Sequence, residues 1–309
     1  MILKVGFIIK KTMNNDFVKI KEEYIIGKDI DGNIVTTGEL QKVLLKIVLE
    51  IDRVFRKNNI GYALAFGSCL GLYNYGGFIP WDDDMDIAFD YFDLPRIIEA
   101  LKNDLSDEFV FESYESNKRY NVLIPTIKVR LKESYIKEQN HFWLPSRCKS
   151  GNGFFVDLVA FMGSPKDVKS RHKVLLKSKR WMPIYVILNA LFHIEPYFIK
   201  KKLKKYESEM ANLYKDSDYV SQTVIIPFQD WGDETFLDIY PKEVIYPFKE
   251  YDFEGHKLFS FNNIEQFSIL KYGQKSLKRK DENGEYYDPY PLKRRKCRHI
   301  KKFSLTRKK

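Results

Sequence analysis

Apolar and polar residues near the start of the chain follow two different spacings, and each spacing predicts a different element. Two β-rich runs flank Asp31-Gly32-Asn33, a strong turn signal, so residues 17–36 are expected to form a β-hairpin. Across residues 40–55 the apolar positions recur at three- and four-residue steps. This spacing predicts a long amphipathic helix that follows the hairpin and stops at Asn58-Asn59.

Shorter apolar runs and one further helical spacing occupy the next part of the chain. The spacing at residues 94–101 predicts a helix. From residue 166 to 215 the pattern is mostly helical and basic, and beyond 216 it is irregular, with one short helix predicted at residues 264–271. Strands are expected at residues 62–66, 84–89, 109–114, 122–131 and 153–161. The predicted fold class is α+β, with a mixed β-sheet core flanked by helices and a mainly helical second half.

No clear linker interrupts this pattern before about residue 275, so a single α+β body with a tail is the economical interpretation. The 309 residues are 44% hydrophobic, enough for one large domain or two modest ones, and the 15% aromatic content excludes global disorder. Four segments differ in character: a β-hairpin extension at 1–36, a core at 37–165, a helical and irregular region at 166–274 and a basic tail at 275–309.

The net charge of +10 is a property of the tail. Residues 275–309 hold 14 Lys/Arg and 4 Asp/Glu, so the other 274 residues carry 38 basic and 38 acidic side chains and are neutral. Such a tail could bind nucleic acid or anionic lipid, or could be a solvated segment. Because no base-reading motif accompanies it, no specific nucleic-acid partner is expected.

Cysteine spacing and hydropathy bear on location. The three cysteines are widely spaced and odd in number, which excludes a disulfide framework or a C-x-x-C metal site and fits a reducing compartment. The most apolar stretch, residues 181–199, is interrupted by polar residues and two prolines, so it is not expected to span a membrane. It is expected to be a buried helix or, because five lysines follow within residues 200–205, an interfacial segment. The expected location is cytoplasmic, with peripheral contact to the anionic cytoplasmic face of a membrane.

A glycine-serine pair and a run of acids are the candidates for chemistry. Gly67-Ser68 is expected to open a turn directly after a strand. Backbone N–H groups of such a turn, together with the serine hydroxyl, can approach a phosphate. Four aspartates follow within residues 82–86, between a tryptophan and an apolar run. The ordinary alternative is that these aspartates form a solvated loop. Their apolar neighbours instead favour a structured binding or catalytic site.

The spacing of the acids indicates a cation. In a strand, Asp84 and Asp86 would share one face while the apolar residues next to them face the core. Two carboxylates held side by side need a compensating charge, and Mg²⁺ (or Mn²⁺) suits their oxygen ligands. Asp157 is a further acid, alone in an apolar strand, where a buried carboxylate is costly unless it is paired or binds metal.

These motifs resemble a known family. A glycine-serine turn, an Asp-x-Asp and a third acid are similar to the nucleotidyltransferase superfamily pattern. The string GSCLG followed by GGFIPWDDDMDIAF resembles the signature of the LicD family, to which the fukutin-type proteins belong. The resemblance is tight over residues 61–90 and looser over 39–273, including Lys128-Val129-Arg130. It implies that residues 37–165 are a nucleotidyltransferase-like catalytic core and that residues 166–274 lie on the acceptor side.

The resemblance also implies an activity. LicD-type enzymes transfer a phosphorylated small alcohol, phosphocholine or a phospho-alditol, from a CDP-activated donor to a hydroxyl of a cell-surface glycan, which can be lipid-linked. Lipopolysaccharide, teichoic acid and capsule are such acceptors. On this resemblance Asp84 and Asp86 would hold Mg²⁺, and Asp157 would complete the metal site or take the acceptor's proton. The donor phosphates would be bound by Gly67, Ser68, Lys128 and Arg130.

Donor recognition is where this chain departs from the family. LicD proteins have Arg-His where this chain has Asn74-Tyr75, so Lys128 or Arg130 is expected to supply the missing charge. A choline donor would need aromatic faces for its quaternary ammonium. The candidates for this donor pocket are Trp81, Tyr75, Trp143 and Trp231.

Two other functions stay open. A nucleotidyltransferase that adds a nucleoside monophosphate to a small molecule or a protein would use the same residues and differ in which phosphorus is attacked. A non-enzymatic protein, for example an RNA binder, would act through the basic tail, with an affinity that falls steeply as salt rises. The three candidate acids favour an enzyme, because a retired active site has no reason to keep costly carboxylates.

Overall fold

The computed structural model describes residues 25–29, 32–116, 126–138, 153–190, 196–222, 238–280, 286–287 and 300–304. Its first element is an antiparallel hairpin of β1 (Ile25–Lys28) and β2 (Ile34–Thr36). This confirms the predicted hairpin where it can be seen, since residues 17–24 lie outside the described part of the chain.

The predicted long helix is α1 (Thr37–Lys57). Its start is capped reciprocally: the Glu39 N–H donates to Thr36 Oγ1 at 3.3 Å, and the Thr36 N–H donates to the Glu39 carboxylate at 2.8 Å. The helix ends at Asn58, as the sequence predicts. Its buried apolar residues, all on the side that packs on the sheet, include Leu40, Leu44, Ile47, Val48, Ile51, Val54 and Phe55.

A nine-stranded mixed sheet forms the centre of the molecule. Its main path runs β10-β9-β8-β4-β3-β12-β11, and β6, with β5 beyond it, pairs with the first part of β8. β4–β8 and β3–β12 are parallel pairs and the other pairs are antiparallel. The nine strands are β3 (Ala63–Leu64), β4 (Asp86–Asp90), β5 (Phe109–Ser113), β6 (Ile127–Leu131), β8 (Phe155–Gly163), β9 (Tyr219–Gln222), β10 (Tyr240–Pro241), β11 (Lys249–Phe253) and β12 (His256–Ser260).

Helices cover both faces of this sheet, which confirms the α+β class. α1 and α3 pack on one face over the main core, and α2, α6 and α7 pack on the other. α4 and α5 lie against each other near the end of β8, as the helical pattern of residues 166–215 predicts. The remaining helices are α2 (Phe66–Tyr75), α3 (Leu94–Asp104), α4 (Val168–Ala190), α5 (Tyr197–Leu213), α6 (Lys242–Ile245) and α7 (Ile264–Tyr272).

Two small strand pairs lie apart from the sheet. β7 (Tyr135–Glu138) pairs with β15 (Ile300–Ser304), and β13 (Arg279–Lys280) pairs with β14 (Tyr286–Tyr287). Parts of the basic tail are therefore structured.

Two local predictions were wrong. The strand expected at residues 62–66 ends at Leu64, and the expected glycine turn is instead the first turn of α2. The glycines allow close packing: a Cβ on Gly71 would lie 2.5 Å from the carbonyl oxygen of Gly77, so residues 77–82 can run directly against the helix.

Residues beyond 216 were predicted to be irregular, yet β9, β11 and β12 join the central sheet. The hairpin β11–β12 escaped prediction because charged, exposed residues interrupt its apolar positions, as is typical of a strand at a sheet edge. The central sheet takes strands from both sides of residue 165. The domain boundary expected at that residue stays a prediction.

Candidate active site

Two acids and a lysine on neighbouring strands form one row on the sheet face opposite α1. Asp86 on β4 is the register partner of Asp157 on β8, and Asp157 is the register partner of Lys128 on β6. Side chains of register partners point to the same face, so these three lie next to one another. We call this set the acid row. The sheet register thus brings Asp86 and Asp157 together, as the sequence predicts.

Lys128 forms a buried ion pair with Asp157, which the sequence did not predict. Its Nζ lies 2.9 Å from Asp157 Oδ1, and its side chain is only 4% exposed. The ammonium also lies over the Phe155 ring, 3.4 Å from the centroid. Removing one partner of such a buried pair leaves an uncompensated charge, typically at a cost of about 3–5 kcal/mol. Lys128 therefore balances the charge of Asp157 at the centre of the site.

A second acidic group lies immediately before β4. Asp82, Asp83 and Asp84 each offer a carboxylate oxygen within 4.8 Å of the others, an arrangement that could hold a metal ion. Asp84 and Asp86 are half-buried, and Met85 between them is buried. The exposure of the side chains therefore alternates along these three residues. Mg²⁺ takes oxygen ligands, commonly one or two carboxylates completed by water or phosphate, so these acids suit the predicted ion. Of the predicted ligands Asp84, Asp86 and Asp157, this group contains Asp84. Convergence of Asp84 with Asp86 and Asp157, the two acids of the acid row, stays a prediction.

The start of α2 lies beside these acids. A Cβ on Gly67 would be 3.0 Å from Asp82 Oδ2. The first turn of the helix therefore directly contacts residues 77–85, which we call the acidic loop. Ser68 is buried, and its Oγ accepts a hydrogen bond from the Asp86 N–H at 3.1 Å. The hydroxyl thus ties the first turn of α2 to the first residue of β4, and its own proton can still be donated. The N–H groups of a helix start favour an anion, and here they stand next to a candidate cation site.

Two residues that the sequence analysis missed hold the acidic loop in place. Gln41 on α1 is 3% exposed, and its Nε2 donates to the carbonyl oxygens of Ile79 and Asp82, both at 3.0 Å. Glu254, in the turn between β11 and β12, accepts from the Phe78 N–H at 2.9 Å. A polar residue on the apolar side of a predicted helix was the available signal for Gln41; Glu254 carried none.

Arg130, predicted to bind phosphate, is engaged elsewhere. Its side chain is 1% exposed, its Nε donates to Glu112 Oε2 at 2.8 Å and a terminal nitrogen donates to the Gly153 carbonyl at 2.9 Å. These contacts join β5, β6 and the segment that leads into β8. The structure therefore brings Lys128 to the acids but directs the Arg130 guanidinium to a buried structural position.

The predicted aromatic donor pocket is closed on one side. Trp81 is 7% exposed and packs in an apolar cluster with Leu70, Ile79 and Leu277. Tyr75 contacts it edge-on, with 6.4 Å between ring centroids. The other two candidates, Trp143 and Trp231, lie outside the described residues.

Residues 59–186 match the family model described as LicD/FKTN/FKRP, nucleotidyltransferase domain. The chain carries a LicD-family domain. Over 258 residues it is also 23% identical to the lipopolysaccharide cholinephosphotransferase LicD of Haemophilus influenzae. That alignment covers 77% of this chain and 91% of the relative.

The LicD domain contains the acid row, the acidic loop and α2, but the supports of the loop lie outside it. Gln41 precedes the matched residues, and Glu254 and Leu277 follow them. Within the domain, Cys69 is not suited to nucleophilic catalysis, because complete burial raises the pKa of its thiol to about 12. The candidate groups for chemistry in this domain are therefore its carboxylates and not Cys69.

Proposed function

We propose that this chain transfers a phosphorylated small alcohol, phosphocholine in the first instance, from a CDP-activated donor to a hydroxyl of a cell-surface glycan such as lipopolysaccharide. A phospho-alditol is the other transferred group that the family implies. The observation that carries the proposal is the acid row beside the start of α2, inside a LicD-family domain. The name of the Haemophilus influenzae relative supports the choice of group and acceptor.

The described residues can be given roles in this reaction. Asp84, Asp86 and Asp157 would hold Mg²⁺, or Mn²⁺ in its place, and the ion would neutralise charge on the diphosphate and on the departing CMP. The N–H groups at Gly67 and the Ser68 hydroxyl bind phosphate oxygens, and Lys128 adds positive charge beside them.

With the residues in these roles, the transfer reaction forms one bond to phosphorus and breaks another. The acceptor oxygen attacks the phosphorus that bears the alcohol, the bond from that phosphorus to the CMP oxygen breaks, and CMP leaves with the electron pair. The proton of the acceptor hydroxyl passes to the Asp157 carboxylate or, where Asp157 completes the metal site, to water.

The test is a donor panel. The protein is incubated with Mg²⁺, a lipopolysaccharide acceptor and CDP-choline, CDP-glycerol or CDP-ribitol, and CMP release and labelled acceptor are measured. We expect turnover with one donor, loss of at least about 100-fold in Asp86→Asn and Asp157→Asn, and full activity in the exposed Lys42→Gln control. No CMP from any donor would contradict the proposal.

The same assay separates the two alternatives. A nucleotidyltransferase would release pyrophosphate from nucleoside triphosphates and attach the nucleoside monophosphate to its target. A tail-driven RNA binder would show neither product but would bind RNA with an affinity that vanishes when residues 275–309 are removed.

Contact with an anionic membrane is a second part of the proposal and would place the enzyme at the cytoplasmic face beside a lipid-linked acceptor. None of the described helices is both long and apolar enough to cross a bilayer. The adjoining ends of α4 and α5, however, expose Ile184, Ile187, Tyr197 and Phe198. Lys201 and Lys202, both exposed, follow directly. Apolar side chains bordered by lysines suit the headgroup region of an anionic bilayer.

Vesicle co-sedimentation tests this contact. Ile187→Ser/Phe198→Ser should lose binding to vesicles that contain phosphatidylglycerol. Leu213→Ser, which replaces another exposed apolar residue at the far end of α5, should not. Equal binding of the wild-type protein to neutral and anionic vesicles at low salt would exclude the proposed contact.

A further inference from the structure

A small pocket with a positively charged lining lies between α4 and α5, and it shares no lining residue with the acid row or the acidic loop. We call it the lysine pocket. Lys177 of α4 and Lys202 and Lys205 of α5 line it, together with one acid, Glu209. Its volume is about 180 Å³, whereas pockets for drug-sized ligands measure about 300–1,000 Å³. The lysine pocket therefore suits a single small anionic group and not a whole nucleotide.

Two aromatic rings set the positions of two of the ammonium groups. Lys202 Nζ on α5 lies 4.3 Å from the ring centroid of Trp181 on α4. Lys177 Nζ on α4 lies 4.6 Å from the ring centroid of Tyr206 on α5, and the Tyr206 hydroxyl donates to the Val174 carbonyl oxygen at 2.7 Å. Each helix thus places a lysine on a ring of the other helix, so less side-chain entropy is lost when these lysines bind an anion.

The ring contacts leave the lysines able to bind an anion. An ammonium group has three N–H donors, and a ring face occupies one side of it without cancelling its charge. Within the described residues, Lys177 and Lys202 make these ring contacts and no ion pair. Lys205 Nζ lies 3.9 Å from Glu209 Oε1, beyond hydrogen-bond distance, and the Lys205 side chain is 80% exposed. One acid among three lysines balances the charge of the pocket only in part.

The lysine pocket lies about one helical turn from the exposed apolar end of α4 and α5. Trp181 precedes the exposed Ile184 by three residues, and Lys202 follows the exposed Phe198 by four residues, so each pair shares a helix face. These steps are about 4.5 Å and about 6 Å along the helix axes. An interfacial helix buries its apolar side about 5–10 Å into the boundary between headgroups and acyl chains. With the apolar end in that boundary, the pocket lies at the level of the lipid phosphates, where tryptophan is also favoured.

We infer that the lysine pocket binds the phosphate group of an anionic glycerophospholipid. The inference rests on the membrane contact that is part of the proposed function, and it replaces a diffuse positive surface by a defined headgroup site. Ammonium groups form charge-assisted hydrogen bonds to phosphate oxygens. A phosphomonoester headgroup, as in phosphatidic acid, should bind best, because a phosphomonoester carries a charge of about −1.5 to −2 and three strong acceptor oxygens.

Vesicle co-sedimentation with matched anionic lipids tests this site. The vesicles are phosphatidylcholine with either phosphatidic acid or oleate, at the same surface charge. The wild-type protein should bind the phosphatidic acid vesicles about 10-fold or more tightly, because hydrogen bonds to a charged phosphate add to the general attraction. The variant Lys177→Gln/Lys202→Gln should bind both kinds of vesicle equally.

A charge-matched variant is the control. Lys169→Gln/Lys173→Gln removes two exposed charges of α4 that do not line the pocket, so it should keep the preference for phosphatidic acid. Thermal unfolding of each variant checks that the fold is retained. A preference that survives in Lys177→Gln/Lys202→Gln, or that disappears equally in the control, would overturn the inference. Equal binding of the wild-type protein to both kinds of vesicle would overturn it too.

Inorganic phosphate is the other source of the same ligand chemistry. Titrated by calorimetry without vesicles, it should show no saturable binding, because the contribution of the exposed apolar residues requires a bilayer. Saturable binding to the wild-type protein that is lost in Lys177→Gln/Lys202→Gln would assign the pocket to a soluble phosphate and overturn the assignment to a lipid.

The inference and the proposed membrane contact fail in different ways. If Ile187→Ser/Phe198→Ser loses binding to both kinds of vesicle while Lys177→Gln/Lys202→Gln behaves as wild type, the contact stands and the headgroup site is wrong. If the wild-type protein sediments with neither kind of vesicle, both are wrong. Release of CMP, which tests the transfer reaction, is measured without vesicles and is independent of either result.

Discussion

Replacing Gln41 by leucine isolates the link between the acidic loop and the helix beneath it. The Gln41 side chain is buried on α1 and donates to the carbonyl oxygens of Ile79 and Asp82. Leucine has a similar volume and no donor, so the substitution removes both hydrogen bonds without opening a large cavity. The carbonyl groups of Ile79 and Asp82 then lose the side chain that holds this part of the loop to α1.

The cost can be worked from these contacts. Each carbonyl left without its partner costs about 1.5 kcal/mol, or about 3 kcal/mol for the two. Gln41 Oε1 is itself buried and accepts no hydrogen bond from the described residues, so its removal returns about 1 kcal/mol. We therefore expect the free energy of unfolding to fall by about 2 kcal/mol. The loosened loop should also bind Mg²⁺ more weakly, because it carries Asp82, Asp83 and Asp84.

Urea unfolding followed by tryptophan fluorescence measures the loss, and a Mg²⁺ titration measures the effect on the loop. Lys42→Gln, at the next and exposed position of α1, is the matched control and should change neither quantity. A Gln41→Leu protein within about 0.5 kcal/mol of wild type, the range of ordinary surface substitutions, would refute the anchoring role.

Three further outcomes are expected. Arg130→Met should lower the free energy of unfolding by about 3–5 kcal/mol, because Glu112 is left with a buried charge. The double variant Arg130→Met/Glu112→Leu should recover most of this loss in the same urea assay, and no recovery would contradict the pairing. Asp157→Asn should abolish CMP release. It should also lower the urea midpoint, because Lys128 loses its partner, and an unchanged midpoint would argue against a buried ion pair. Burial raises the pKa of Asp90 above its ordinary value of 3.8, so folding favours its protonated form and the carboxylate costs stability as pH rises from 4 toward 7. Asp90→Asn should therefore gain stability relative to wild type over that range, and parallel pH profiles would exclude this explanation.

Local patterns made part of the fold predictable. α1 was predicted because helical spacing and its stop signal are properties of neighbouring residues. The alternation of Asp84, Met85 and Asp86 was predicted because side chains in extended chain alternate faces. Asp157 was found because a lone acid in an apolar strand is conspicuous.

The rest of the site depends on pairings between distant residues. Lys128 meets Asp157 only because β6 and β8 pair in one particular register. Glu254 reaches the loop across 176 residues of sequence, and its role depends on where β11 and β12 join the sheet. Arg130 shows the limit most clearly, since the pattern that placed it beside Lys128 could not show that Glu112 would bind it. Registers are set by the packing of the whole core, which one sequence does not reveal.

The parallel pairing of β3 with β12 has a consequence for any attempt to cut out residues 59–186. Leu64 has Ile87 on one side and Ser260 on the other, and the Ser260 hydroxyl donates to the Leu64 carbonyl. An excised segment would lack β12 and would present unpaired N–H and C=O groups along β3. It would also lack α1, whose removal exposes the apolar sheet face beneath it, so the excised segment should aggregate instead of folding as a monomer. The family match ends at residue 186, whereas the sheet that folds extends to the strands near residue 260.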